Sequence, residues 1–172
     1  MAPTEVVVTL DGRTFRADPC GFYDELIEIS LGSLEMTEGG QYPERVHRYA
    51  RMYQAGSPFP PISVAGVTPD CPRYRITNGH HRYLAARQAG AGSVRAWTCF
   101  YVPFTGAGGR TYYRLARMSD TDLGRGLARL LGREWCPRCG RFLDYRPDLG
   151  VCLACHLWCQ AEARMAEGGS NR

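Results

Sequence analysis

The chain has 172 residues, a hydrophobic fraction of 44% and a formal net charge of +4, which suits one core-forming domain with a small appendage. All 21 basic residues are arginine, which excludes a Walker-type lysine, a Schiff-base lysine and a lysine general base. No run approaches the roughly 20 apolar residues of a membrane span, and residues 1–10 lack a basic segment followed by a long apolar one. A cytoplasmic protein with no membrane partner is therefore expected.

Charge and cysteine are both unevenly placed. Residues 1–109 carry ten arginines and ten acids, whereas residues 110–172 carry eleven arginines and seven acids. Of the eight cysteines, Cys20, Cys71 and Cys99 are isolated, while Cys136, Cys139, Cys152, Cys155 and Cys159 crowd together, a clustering that favours a metal site over a disulfide framework.

In chain order, Val6–Leu10 and Arg13–Ala17 flank Asp11-Gly12, the form of a β-hairpin whose turn needs positive φ. Residues 26–31 alternate apolar and polar side chains and predict a strand, and 34–41, with Gly39-Gly40, a loop. Pro43 fits the first position of a helix with Val46, Tyr49, Ala50 and Tyr53 as its buried stripe, ended by Gly56, and with Glu44 and Arg48 paired on its outer face. Pro58, Pro60 and Pro61 lead into a strand over 62–67. A further strand at 74–77 meets the Asn78-Gly79 turn, which opens a helix over 82–89 closed by Gly90. Residues 94–102 read as one buried strand, 104–109 as a glycine-rich loop, and 112–118 show no clear period.

After residue 119 the composition changes. Ser119 to Asp122 marks a helix start, and Leu123, Leu127, Leu130 and Leu131 supply an apolar stripe. Arg125, Arg129 and Arg133 recur at spacing four on another face. Such a face either lies along the phosphate backbone of DNA or, more commonly, is simply solvated.

Two stretches carry chemistry. In Asn78-Gly79-His80-His81-Arg82 a glycine lets the backbone approach a phosphate. Two histidines and an arginine then sit where unpaired N–H groups and the positive end of the helix dipole favour an anion. The competing reading is an ordinary Asn-Gly turn with locally satisfied histidines. In the second stretch, Cys136-x-x-Cys139 and Cys152-x-x-Cys155 are separated by twelve residues, the spacing of a zinc ribbon. Each pair offers two thiolates to one tetrahedral ion, with Gly140 allowing the tight knuckle and a short hairpin fitting between the pairs. A closed four-cysteine site leaves no position for water, so a structural Zn(2+) is expected, with Trp135, Leu157 and Trp158 packed around it. Cys159 and His156 are spare donors for the same ion.

The order of strand, helix, Pro60-Pro61-Ile62-Ser63-Val64, Tyr74-Arg75-Ile76-Thr77 and Asn78-Gly79-His80-His81-Arg82-Tyr83 resembles the ParB/sulfiredoxin-like superfamily over roughly residues 26–102. That resemblance implies a small α/β domain binding nucleotide phosphates at the Gly-x-x-Arg turn. Asn78, Gly79, His80, His81 and Arg82 would form the phosphate site, with Mg(2+) accompanying ATP or CTP. Sulfiredoxins carry their reactive cysteine where His80 stands, so their redox chemistry is not expected. Partition-protein members carry Glu-Arg-Arg across positions 80–82, and here only Arg82 agrees. The His-x-Arg pattern is similar to that of free-serine kinases, which have Asp at the position of Asn78 and a loop glutamate as base. Glu35, Glu38 and Glu44 are the alternatives for that base, and His80 is a further catalytic candidate.

The expected protein is α+β. It has a ParB/sulfiredoxin-like domain over residues 1–103, a linker over 104–118, a helix and zinc-ribbon module over 119–167, and a disordered tail over 168–172. Two functions fit. One is a nucleotide-binding NTPase or small-molecule phosphotransferase whose zinc-ribbon end contacts DNA or a protein partner. The other is a non-catalytic DNA-associated regulator that holds phosphate backbone with the same residues.

Overall fold

A computed structural model describes residues 5–18, 20–37, 39, 42–132, 136–139, 145–146 and 148–168. Glu38, Arg133, Trp135 and Gly140 lie outside the described residues, as do residues 169–172 of the tail expected over 168–172, whose first residue, Gly168, instead ends a helix. The chain is α+β and divides into two compact units. One comprises residues 9–16 and 24–115, and the other residues 1–8, 17–23 and 116–172.

A seven-stranded mixed sheet organises the fold. Its strands are β1 (Val6–Leu10), β2 (Arg13–Ala17), β3 (Tyr23–Ser30), β4 (Leu34–Met36), β5 (Ile62–Ala65), β6 (Tyr74–Asn78) and β7 (Ser93–Cys99), in the spatial order β1-β2-β3-β7-β5-β6-β4. The hairpin expected at residues 6–17 is present, with Asp11 and Gly12 both at positive φ, as such a turn requires. β7 is antiparallel to β3 and parallel to β5, so Ala96 stands beside both Ile27 and Ile62. β5 is antiparallel to β6, and β6 is parallel to β4.

Two helices accompany the sheet, α1 (Pro43–Gln54) and α2 (His80–Gln88). Pro43 occupies the first turn of α1, where a missing N–H costs nothing, and α1 buries Val46 and Ala50 against Ala85 of α2. The main core joins Ile29, Leu34, Ile62, Val64, Ile76, Val94 and Ala96 of the sheet to Tyr83 and Ala86 of α2. Complete burial of an Ile side chain is worth about 1.5–3 kcal/mol, and both Ile62 and Ile76 are essentially inaccessible.

Three expectations need correction. Leu34–Met36 is not loop but the edge strand β4, because Leu34 is buried in the core and its backbone pairs with β6 before the glycines begin. Residues 94–102 are not one strand: β7 ends at Cys99 and β8 (Tyr101–Thr105) starts anew after Phe100. β8 turns through residues 106–110 into β9 (Thr111–Leu115), an antiparallel partner, so the glycine-rich stretch is the tip of a hairpin. Helix α2 also begins two residues earlier than expected, at His80, directly after Gly79.

In the other unit, α3 (Asp122–Leu130) starts where Thr121 accepts a hydrogen bond from the Gly124 amide, 2.9 Å, and Leu127 is fully buried. Leu130 is 54% exposed, so it does not belong to the stripe expected for it. β10 (Tyr145–Arg146) and β11 (Val151–Cys152) form the short antiparallel ribbon expected between the cysteine pairs. A 16-residue helix, α4 (Leu153–Gly168), follows at once. Among the described residues no helix is long and apolar enough to cross a membrane.

Candidate functional site

The helix opening is built by a residue that nothing larger can replace. Gly79 is the N-cap of α2 with φ +96°, a left-handed conformation that L side chains resist. A Cβ there would also lie 2.7 Å from Cγ2 of Ile62 and 2.9 Å from the Arg82 guanidinium. The Gly79 carbonyl accepts the first intrahelical bond, from the Tyr83 amide at 3.0 Å, and the first-turn amides of His80, His81 and Arg82 precede that bond.

The side chains of this turn divide their roles. Arg82 donates to the carbonyls of Pro60 and Pro61, both at 2.6 Å, and so pins the proline segment that feeds β5. Burial lowers its pKa, while Tyr49 and Tyr53 oppose that shift. His80 is only 7% exposed, its Nε2 3.5 Å from the Thr37 hydroxyl, which itself donates to the Ile76 carbonyl at 2.8 Å. His81 lies outward. Its Nε2 accepts from the Tyr42 amide at 3.2 Å, and its ring stacks on Tyr42 at 5.9 Å. Desolvation, then the charges of Arg45 and His80, hold its pKa below the usual value, so near neutral pH the ring is uncharged. With Nε2 accepting, the ring proton resides on Nδ1.

Beside Tyr42 opens a cleft of about 380 Å³ lined by Tyr42, Glu44, Arg45 and Arg48. The guanidinium of Arg45 lies 5.8 Å over the Tyr42 ring. Arg45 carries no signal of its own in the sequence, and Arg48 reads there as half of a surface pair with Glu44. Only the packing of α1 against α2 brings Arg45 within electrostatic reach of His81, and no local pattern encodes that approach.

The base candidates separate. Ile76 packs toward α2, so its neighbour Arg75 projects from the opposite face of the sheet. Glu35 pairs with Arg75 at 3.8 Å and shares that face, away from the helix opening. Glu44 lines the cleft on the α2 side. Asn78 ends β6, exposed, opposite Ser63.

The cysteine cluster lies in the other unit. The Sγ atoms of Cys136, Cys139, Cys152 and Cys155 all fall within 4.8 Å of one another, a group that can hold a metal ion. Cys136 and Cys152 are fully buried, and Cys139 and Cys152 approach to 3.5 Å. The Cys155 amide donates to Cys152 Sγ at 3.4 Å, because α4 begins within this C-x2-C turn. Burial would raise the Cys136 thiol, but the backbone amides of Cys152, Cys139 and Arg138 outweigh it and lower its pKa to about 6. Cys155 is pushed up to about 12 by burial and then by the neighbouring thiols of Cys152, Cys139 and Cys136.

The spare donors are engaged elsewhere. Cys159 accepts a short contact from Arg138, which also reaches Glu162 at 3.3 Å, and His156 meets Gln160 at 2.9 Å. Leu157 and Trp158 are 55% and 62% exposed, so they do not pack around the cysteines as expected, and the Trp158 indole instead donates to Glu162 at 2.7 Å. On α3, Arg125 donates to Asp122 at 2.5 Å and to the Ser119 carbonyl at 2.9 Å, while Arg129 is exposed.

No family model and no curated protein matches the chain. Solved structures similar to it include sulfiredoxin from Arabidopsis thaliana, at 20% identity over 42% of this chain and 82% of that one, with a TM-score of 0.38. A C-terminally truncated chromosome-partitioning protein ParB from Caulobacter crescentus, complexed with CTP-gamma-S, is 17% identical over 63% of this chain and 54% of its own, with a TM-score of 0.39. A free serine kinase in complex with AMP is 19% identical over 52% of this chain and 40% of its own, with a TM-score of 0.38. Each of these three likenesses stays below a TM-score of 0.4 and spans between 42% and 63% of this chain.

Proposed function

We propose that the chain binds a nucleotide through its phosphates at the start of α2, with Mg(2+) as the accompanying cation, and that Zn(2+) in the cysteine cluster has a structural role. The observation that carries the nucleotide reading is Gly79. A left-handed glycine, with no room for a Cβ, opens a helix whose His81 stacks on Tyr42, and Tyr42 lines a cleft that also holds Arg45 and Arg48. Phosphate oxygens meet the amides of residues 80–82 and the Nδ1 proton of His81, and Arg45 and Arg48 supply the positive charge.

Arg82 serves this site indirectly, by fixing the Pro60 and Pro61 carbonyls. Where turnover accompanies binding, as in an NTPase or small-molecule phosphotransferase, Glu44 is the base that the cleft favours over Glu35. The alternative of a regulator gripping DNA along α3 has less support among the described residues, because Arg125 is engaged with Asp122 and Ser119.

Zinc suits the cysteine donors. A tetrahedral ion with bonds of about 2.3 Å separates its sulfurs by roughly 3.8 Å, a spacing that four Sγ atoms within 4.8 Å of one another accommodate. Thermal-shift and calorimetric titration with ATP and CTP, each with and without Mg(2+), tests the nucleotide reading. Stabilisation lost in Arg45→Ala/Arg48→Ala supports it; no stabilisation by either nucleotide refutes it.

A further inference from the structure

The β8–β9 hairpin has a face that neither the phosphate site nor the cysteine cluster uses. Directly opposed residues of an antiparallel pair share a face, and residues alternate along each strand. Tyr101 and Leu115, Pro103 and Tyr113, and Thr105 and Thr111 therefore form one face, of which Tyr101, Thr111 and Tyr113 line a cleft with Asp70, Cys71 and Arg75, bordered also by Tyr112 from across the strand. The other face carries Val102 opposite Arg114 and Phe104 opposite Tyr112. Arg110 extends it, in extended backbone, with its carbonyl accepting from the Gly106 amide at 2.9 Å.

This second face is a built aromatic platform. Phe104 and Tyr112 stack with centroids 5.7 Å apart and planes inclined by 29°, yet they remain 42% and 45% exposed. Gly106 is required for the arrangement, since a Cβ there would stand 2.5 Å from the Tyr112 ring. An exposed stacked pair held by a dedicated glycine is an unusual use of apolar area unless something planar covers it.

Charge identifies the occupant. Arg110 and Arg114 are exposed on the same face as the rings. A partner with flat faces and negative charge at regular intervals matches this surface. In a duplex the bases already stack on one another, whereas in a single strand they are available to protein rings.

We propose that the Phe104–Tyr112 face of the β8–β9 hairpin binds single-stranded nucleic acid, with bases stacking on the two rings and phosphates meeting Arg110 and Arg114. The test is fluorescence anisotropy of the full chain with a labelled oligodeoxythymidylate of about 20 nucleotides, alongside a duplex of the same length. The single strand binds more tightly. Phe104→Ala weakens it about 10-fold, as expected for one lost stacking partner, and Arg110→Ala lowers the salt slope by about 0.7. Phe104→Leu, which keeps apolar bulk without a ring, weakens binding as Phe104→Ala does and guards against a folding artefact.

Nucleotide stabilisation at α2 is unchanged in these variants, so failure here is distinguishable from failure of the nucleotide reading. Absence of oligonucleotide binding at low salt overturns the proposal. So do a preference for duplex, binding indifferent to Phe104→Ala and Phe104→Leu, and a dimer that Phe104→Ala dissociates, which would make a second copy the occupant.

Discussion

The helix opening and the cysteine cluster reach their chemistry by opposite routes. At the cluster the donors are the sequence motif itself: two C-x2-C turns place four sulfurs together, and the surrounding fold only brings the turns face to face. At the helix opening, Arg82 is anchored on two carbonyls, and the charges beside the site, Arg45 and Arg48, come from a different helix. A site dictated by covalent spacing can be read locally. A site assembled by packing shows its backbone in the sequence but not its charges.

The sharpest way to break this comparison is at the cluster. Replacing Cys136 with Ser removes one of four donors, and because structural zinc contributes about 10–16 kcal/mol of apparent binding free energy, the variant is expected to lose stoichiometric metal and its cooperative unfolding. Elemental analysis of reduced protein and circular dichroism read both effects; a variant that keeps a full equivalent of metal would move the site elsewhere.

Gly79→Ala is next. Strain at positive φ and the contact with Ile62 together cost about 3 kcal/mol, visible as a lower urea midpoint. An unchanged midpoint would mean that the turn does not need its glycine.

Arg82 and the Arg45/Arg48 pair then sharpen the division of roles. Arg82→Ala leaves two carbonyls without their donor and costs about 2 kcal/mol in stability. Arg45→Ala/Arg48→Ala leaves stability within about 0.5 kcal/mol while weakening nucleotide binding at least about 10-fold. Equal effects of the two variants on both measurements would contradict the assignment.

The smallest expected effect is that of His81 on pH dependence. Its folded pKa lies below the unfolded value, so the unfolded chain binds more protons between the two, and the contribution is complete above about pH 6.5 and lost as pH falls toward the folded value. His81→Gln is therefore expected to flatten the decline of Tm between about pH 7 and pH 5.5. The groups facing His81, namely Tyr42, Arg45 and His80, remain in place; an unaltered profile would assign the decline to another group.

Much of the larger unit was legible because period and punctuation agreed. The first hairpin, α1 with Pro43 at its start, β5, β6 and the glycine before α2 all carry local signals. β4 escaped because three residues show no period, and only pairing with β6 makes them a strand. β9 escaped because it sets tyrosines on both of its faces, which erases alternation. α4 is obscured in the sequence because its first turn contains Cys155, whose spacing to Cys152 is that of a metal knuckle as well as of a helical turn. Of the base candidates, Glu35 lies on β4 and Glu44 on α1, and which of them borders the cleft beside Tyr42 is tertiary information.

The smaller unit is threaded from three separate stretches of chain. The Tyr23 hydroxyl hydrogen-bonds to Thr121, and the Met118 amide donates to the Gly21 carbonyl at 2.8 Å. No single cut can therefore release it intact: a fragment ending at Leu115 keeps Gly21 and Tyr23 but strips both of these partners. Limited proteolysis at the β8–β9 tip, residues 106–109, should yield two pieces that stay together on a sizing column until denaturant is added, and dissection by truncation would misreport the protein's boundaries.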